Sequence, residues 1–143
     1  MRAVQEFYRL AEQQNITVDL FPMQTREAIS LMDEQGRCFV AIDPDRLLDE
    51  TDERAKLAHE LGHCMTGAFY NRYSDFDSRQ KQENKADKWA VCATVTEEEL
   101  DEAVAGGCEN LWDLAEYFGI PEDLMKKAVC WYTYGNLAAD LYF

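Results

Sequence analysis

Leu57-Ala58-His59-Glu60-Leu61-Gly62-His63 is the stretch on which the reading of this chain turns. The chain has two histidines, and both stand here, four residues apart. The surroundings predict a helix that starts near Thr51 or Asp52, carries Glu53 in its first turn, and runs through Leu57, Ala58 and Leu61 towards Gly67. Spacing of i, i+4 sets both imidazoles on one helical face, one turn apart, where they can share a tetrahedral metal ion. Glu60 projects about 100° around the helix from His59, so it reaches water beside the metal rather than the metal itself. His-Glu-x-x-His in this setting is the zinc-peptidase pattern, with Glu60 as general base. The bland alternative is a pair of surface histidines on an exposed helix.

A catalytic zinc needs a third protein ligand and an open fourth position. The gluzincin-like arrangement takes that ligand from a Glu on a following helix, and Glu83 lies twenty residues after His63. Asp87, one turn further along Glu83-Asn84-Lys85-Ala86-Asp87, is spaced to accept the other ring N–H of a ligating histidine. The competing account of Glu83 and Asp87 is a solvated helix face. The expected cofactor is one Zn²⁺ per chain. Gly62 inside a helix costs about 1 kcal/mol relative to alanine, which points to close approach of another backbone or to room for substrate. Cys64 projects away from His63 and is assigned to the core. Tyr70 and Tyr73, between the two motif helices, are candidate donors to a tetrahedral oxyanion; packing over the sheet is the alternative.

With the second segment read as Glu83-Asn84-Lys85-Ala86-Asp87-Lys88-Trp89-Ala90, the chain resembles the ImmA/IrrE family of metallopeptidases. That segment is similar to the family's E-x-x-A-N/D-x-F/W-A signature, and a β-hairpin precedes the first motif as it does in the family. The resemblance covers residues 1–95. It implies a zinc peptidase fold, often encoded by phages and mobile elements, whose members act on helix-turn-helix repressors. On this chain it implies His59, His63 and Glu83 as ligands, Glu60 as base, and a helix-turn-helix transcriptional repressor as protein substrate. No motif marks the substrate contacts.

Outward from the motifs, the expected class is α+β: a small antiparallel sheet packed on the helical core, followed by C-terminal helices. Val4, Phe7, Tyr8 and Ala11 predict an amphipathic helix over 2–14, and the alternation Ile16–Leu20 predicts a short strand. Ala28–Met32 and Cys38–Ile42 flank a polar turn in which Gly36 takes the position of positive φ. A helix is expected from Ser78 through Ala93. Thr96 followed by Glu99 is a capping box that opens another, ending at Gly106-Gly107. One more runs from Leu111 to Phe118 with Gly119 as its cap, and Pro121 opens the last as its first residue. No repeat, low-complexity tract or linker interrupts the chain. One metallopeptidase domain over 1–143 is therefore expected, with sheet and metal-binding helices in 1–95 and a helical part in 96–143.

The 143 residues are 47% hydrophobic, enough for a core, and carry a formal net charge of −14. That balance argues against a phosphate-binding surface; it suits a basic partner, or serves solubility alone. Ten acidic residues and no Lys or Arg fall between Glu97 and Asp123. The Gly119 turn superficially resembles a helix-turn-helix, but only Lys126 and Lys127 follow on its second helix, so nucleic acid is not an expected partner. The aromatic stretch Trp131-Tyr132-Thr133-Tyr134 and the tail Leu141-Tyr142-Phe143 are expected to pack against the first helix or to serve a partner contact.

Five cysteines are dispersed without a C-x-x-C pair, the amino terminus lacks a signal-peptide core, and no run approaches the ~18 apolar residues of a membrane span. These features predict reduced thiols and a cytoplasmic protein without membrane contact. Cysteine catalysis is set aside because no further histidine remains to activate a thiolate. Three functions compete: a zinc endopeptidase cutting a repressor, a non-catalytic protein that sequesters one around a structural or vestigial zinc, and a general housekeeping peptidase, for which a small domain without an evident extended cleft is a poor candidate. An intact Glu60 favours the first.

Overall fold

The computed structural model describes residues 2–143 and has an α+β architecture. Helix α1 (Val4–Gln13) leads into strand β1 (Thr17–Leu20), then the hairpin of β2 (Ala28–Met32) and β3 (Cys38–Ile42). Helices α2 (Glu50–Thr66), α3 (Phe76–Thr94), α4 (Glu97–Ala105), α5 (Leu111–Phe118) and α6 (Glu122–Tyr134) follow, with single 3₁₀ turns at Pro44–Arg46 and Ala139–Leu141. Among the described residues, no helix is long and apolar enough to cross a membrane.

The hairpin forms as its turn chemistry demands: Gly36 takes φ 81°, and the Asp33 carboxylate accepts the backbone N–H groups of Gln35 and Arg37. The sheet is mixed rather than purely antiparallel. Strand order is β1-β3-β2, with β2 antiparallel and β1 parallel to the central β3. A hairpin supplies β3 with one neighbour; its other edge needs a distant partner, here Thr17–Leu20 in register with Phe39–Ile42. Strand β2 is left at the edge. Cys38, Val40 and Ile42 turn inward and are buried, while Phe39 between them faces out.

Three helix starts differ from expectation. Helix α2 is capped by Asp49, whose side chain accepts the N–H of Asp52 at 2.8 Å, while Asp52 accepts from Leu48 N and Lys56 Nζ. The exchange moves the start two residues upstream of Thr51. Asp75 likewise outcompetes Ser78 by capping α3. Thr96 caps α4 through the N–H of Glu99 as predicted, and Gly119 ends α5 at φ 63°. Pro121 is the capping residue of α6 rather than its first turn.

Helix α2 is the centre of the fold, packed against β2 and β3 on one side and α3 on the other. Leu57 and Leu61 are wholly buried, each worth about 1.5–3 kcal/mol relative to exposure. Gly62 on α2 meets Ala86 on α3, with Ala58 and Ala90 also buried on these two packed helices, so the two backbones meet closely. A Cβ built on Gly62 would stand 2.5 Å from the carbonyl oxygen of Ala86. Close backbone approach is thus the reason for the helical glycine. One hydrophobic core runs from Val4 of α1 to Ala128 of α6.

The prediction of reduced, unpaired thiols is overturned at two positions: Cys38 and Cys64 form a disulfide. Their spacing in sequence carries no hint of it. Packing brings the first residue of β3 against the last turns of α2, at a Cα–Cα distance of 5.9 Å. Cys92, Cys108 and Cys130 are free. Of the two expectations for the aromatic tail, packing on the first helix gives way to packing on α6, while a partner contact is untouched. Tyr142 stacks on Tyr134 with ring centroids 4.0 Å apart, and the Tyr132 hydroxyl donates to Val95 O.

Candidate metal centre

Four side chains from α2 and α3 converge beneath strand β2. His59 and His63 bring their Nε2 atoms to 3.2 Å of each other, as i, i+4 geometry permits. From α3, the Glu83 carboxylate meets both: Oε2 lies 2.8 Å from His59 Nε2 and Oε1 3.2 Å from His63 Nε2. The outer ring nitrogens are occupied. His59 Nδ1 lies 2.8 Å from Asp87 Oδ1, and His63 Nδ1 donates to the carbonyl of Ala68 just past the end of α2. Carboxylate and carbonyl accept only, so both Nδ1 atoms carry hydrogen, and in the neutral imidazoles both Nε2 lone pairs point inward.

Two lone pairs and a carboxylate facing one another repel unless a positive charge stands between them. The electrostatics of the metal-free site express this. Burial alone would lower the pKa of His59, but hydrogen bonds to Asp87 and Glu83 outweigh it and push it up to about 10. His63 moves the same way, with burial opposed by Glu83 and Ala68. Hydrogen bonds from His59 and His63 hold the Glu83 carboxyl far below the usual carboxylate range. The donor set therefore fits a cation, and two imidazoles with a carboxylate suit a divalent metal ion.

Glu60 sits beside this cluster. One ligand atom from each of His59, Glu60 and His63 lies within 4.8 Å of the others. Glu60 is 7% exposed, and burial raises its pKa despite the opposing pull of the two imidazoles. Ser30 Oγ, on the inward face of β2, donates to Glu60 Oε1 at 3.3 Å. A buried carboxylate with a raised pKa beside a cluster that could hold a metal ion is suited to accept and return a proton.

The tyrosines part company. Tyr70 donates its hydroxyl to Glu83 Oε1 at 2.9 Å and lines the site. Tyr73 is 80% exposed, and its hydroxyl is bonded by Arg72 instead. Asp87 has a second partner that sequence reasoning missed: Lys127 Nζ of α6 lies 2.6 Å from Asp87 Oδ2. Ser30 was missed as well, although a polar residue on the inward face of an otherwise apolar strand is a signal.

A cleft of about 560 Å³ opens on the site, bounded by Ala28, Lys56, Glu60, Asp87, Leu124 and Lys127. A smaller hollow of about 220 Å³ continues past Ser30, Leu31, His63, Phe69 and Tyr70. Both share Arg26, Ala28, Glu60 and Glu83, so a groove crosses the cluster beside edge strand β2.

An α+β fold with His-Glu-x-x-His on a central helix under an edge strand, and a His-carboxylate cluster suited to a metal ion and open to a groove, defines the metallopeptidase class. The chain belongs to the IrrE N-terminal-like domain family, peptidase M78, whose family profile matches residues 11–129. Comparison with curated proteins gives no match. Membership implies a metallopeptidase-type protein with a protein substrate.

Proposed function

We propose that the chain is a zinc-dependent endopeptidase in which His59, His63 and Glu83 hold one Zn²⁺ and Glu60 is the general base. The observation that carries this reading is the contact of one Glu83 carboxylate with both Nε2 atoms, beside a buried Glu60. Zinc, when bound, supplies a Lewis acid that polarises the scissile carbonyl and acidifies the attacking water. Glu60 takes a proton from that water as its oxygen adds to the carbonyl carbon, then delivers the proton to the departing amine nitrogen as the C–N bond breaks. Ser30 orients the Glu60 carboxylate, and Asp87 orients the His59 ring. Tyr70 is the candidate donor to the oxyanion, and its hydroxyl already reaches Glu83.

An extended segment running along edge strand β2 suits a groove of this shape, since β2 presents an unpaired edge for backbone hydrogen bonds. We take the substrate to be a helix-turn-helix repressor of a phage or mobile element, a basic partner matched to a chain of net charge −14. Residues 1–143 act as one metallopeptidase domain in this reading, supported by the core shared between α1 and α6. The cytoplasm is the compartment that goes with such a substrate, and the Cys38–Cys64 bond would have to withstand the reducing conditions there.

Metal content of the purified protein, beside a Glu83→Ala variant, tests the centre. The expected result is about one zinc per chain, strongly reduced in the variant. A native protein that takes up no metal on titration sinks the reading. Co-incubation with a repressor encoded next to it then separates catalysis from sequestration: the native chain cuts and Glu60→Gln binds zinc without cutting. Tight repressor binding with no cleavage by the zinc-loaded native chain would favour the sequestering protein.

A further inference from the structure

Lys127 and Asp87 stand 40 positions apart, on α6 and α3, and their side chains meet at 2.6 Å. The other Asp87 oxygen is 2.8 Å from His59 Nδ1, so a continuous chain Lys127–Asp87–His59 runs from the C-terminal helix to the centre. We propose that Lys127 is a positioning residue for the metal site, acting through Asp87. The proposal rests on His59 being a metal ligand.

Asp87 and Glu83 lie one turn apart on α3, both facing the same imidazole, and two like charges at that spacing repel. Among the described residues, Lys127 is the only Lys or Arg within ion-pair distance of either carboxylate. Its ammonium holds Oδ2, which leaves Oδ1 turned to His59. Without that contact, the Asp87 carboxylate is free to rotate towards the cleft that both residues line. The His59 ring then loses the partner that sets its tilt and aims Nε2 inward.

Lys127 is well placed for the task. Its neighbours Leu124 and Ala128 are buried in the core, so α6 delivers the ammonium from a fixed backbone. The Asp87 side chain is 13% exposed and that of Lys127 35%, so the pair is shielded more than an ordinary surface bridge. The helical C-terminal part of the chain thereby contributes to a centre whose motif residues all lie on α2 and α3.

Zinc affinity, measured on the full chain by competition with a chromophoric chelator, tests this. Lys127→Met is expected to weaken zinc binding about tenfold, with Lys127→Arg restoring most of the loss. In an Asp87→Ala background, Lys127→Met should add nothing further. The cobalt-substituted Lys127→Met protein should show a shifted visible spectrum. Circular dichroism and the melting temperature of the metal-free variants confirm folding, and Lys127→Gln replaces Lys127→Met if the latter does not fold. Zinc bound as tightly by Lys127→Met as by the native chain overturns the proposal alone, even if the variant melts lower. So does a loss that persists in full in the Asp87→Ala background. A native chain that binds no zinc overturns the metal-site reading and the proposal with it.

Discussion

Gly62 of α2 and Ala86 of α3 touch backbone to backbone, and a Cβ on Gly62 would lie 2.5 Å from the Ala86 carbonyl oxygen. Ala86 sits between Glu83 and Asp87 on the helix that completes the centre. The contact therefore sets how far both carboxylates stand from the histidines. Alanine favours a helix over glycine by about 1 kcal/mol, so an uncrowded Gly62→Ala would stabilise. Crowding is expected to prevail: a net loss of about 1–2 kcal/mol, and zinc affinity weakened about tenfold through misplaced partners. Urea unfolding and chelator competition measure the two. A more stable variant with native zinc affinity would show that the helices are not in tight contact.

Proton release should accompany metal uptake. In the metal-free centre the pKa of His59 is raised above its ordinary 6.5, to about 10. At pH 8 it carries a proton that zinc must displace, so about one proton or more leaves per zinc bound. Calorimetry in buffers of differing ionisation enthalpy counts them. The same shift makes the metal-free protein pH-sensitive. Stabilisation from charged His59 is complete below pH 6.5 and is lost as pH rises through 10. The melting temperature of the metal-free protein should fall across that range, and the zinc-loaded protein should lack most of the fall. A flat profile without metal would contradict the arrangement.

The Cys38–Cys64 bond closes a loop with a sequence separation of 26. Chain-entropy reasoning assigns it about 3.5 kcal/mol, on the order of 10 °C in melting temperature for a domain of this size. Cys38→Ser and Cys64→Ser should each show that loss, and reductant should reproduce it in the native chain. Alkylation after denaturation without reductant should label Cys92, Cys108 and Cys130 alone. Labelling of all five thiols in protein purified under air would mean the bond does not form.

Tyr70 and Tyr73 make a controlled pair. Only Tyr70 reaches the centre, through its 2.9 Å contact with Glu83 Oε1. Tyr70→Phe should lower kcat about 10²-fold, the scale of one lost oxyanion donor, with zinc content unchanged. Tyr73→Phe should leave kcat near native. Equal effects of the two substitutions would remove Tyr70 from the chemistry and leave it as packing.

The near-neighbour features of this molecule were legible in the amino-acid order because local geometry alone produces them. His59 and His63 share a face because a helix repeats every 3.6 residues; Gly36 turns the hairpin because its backbone conformation excludes a side chain; Thr96 caps α4 because its oxygen reaches an N–H three residues on. The glycine at position 62 signalled either a close backbone approach or room for substrate, and only packing chose the first, against Ala86. Contacts between distant segments had no such local carrier. The parallel pairing of β1 with β3, the bond between Cys38 and Cys64, and the reach of Ser30 to Glu60 depend on how elements pack. The same holds for Lys127 with Asp87, and for the choice of Tyr70 over Tyr73. No periodicity relates such residues. They meet because one core, built around α2, fixes where every helix and strand must lie.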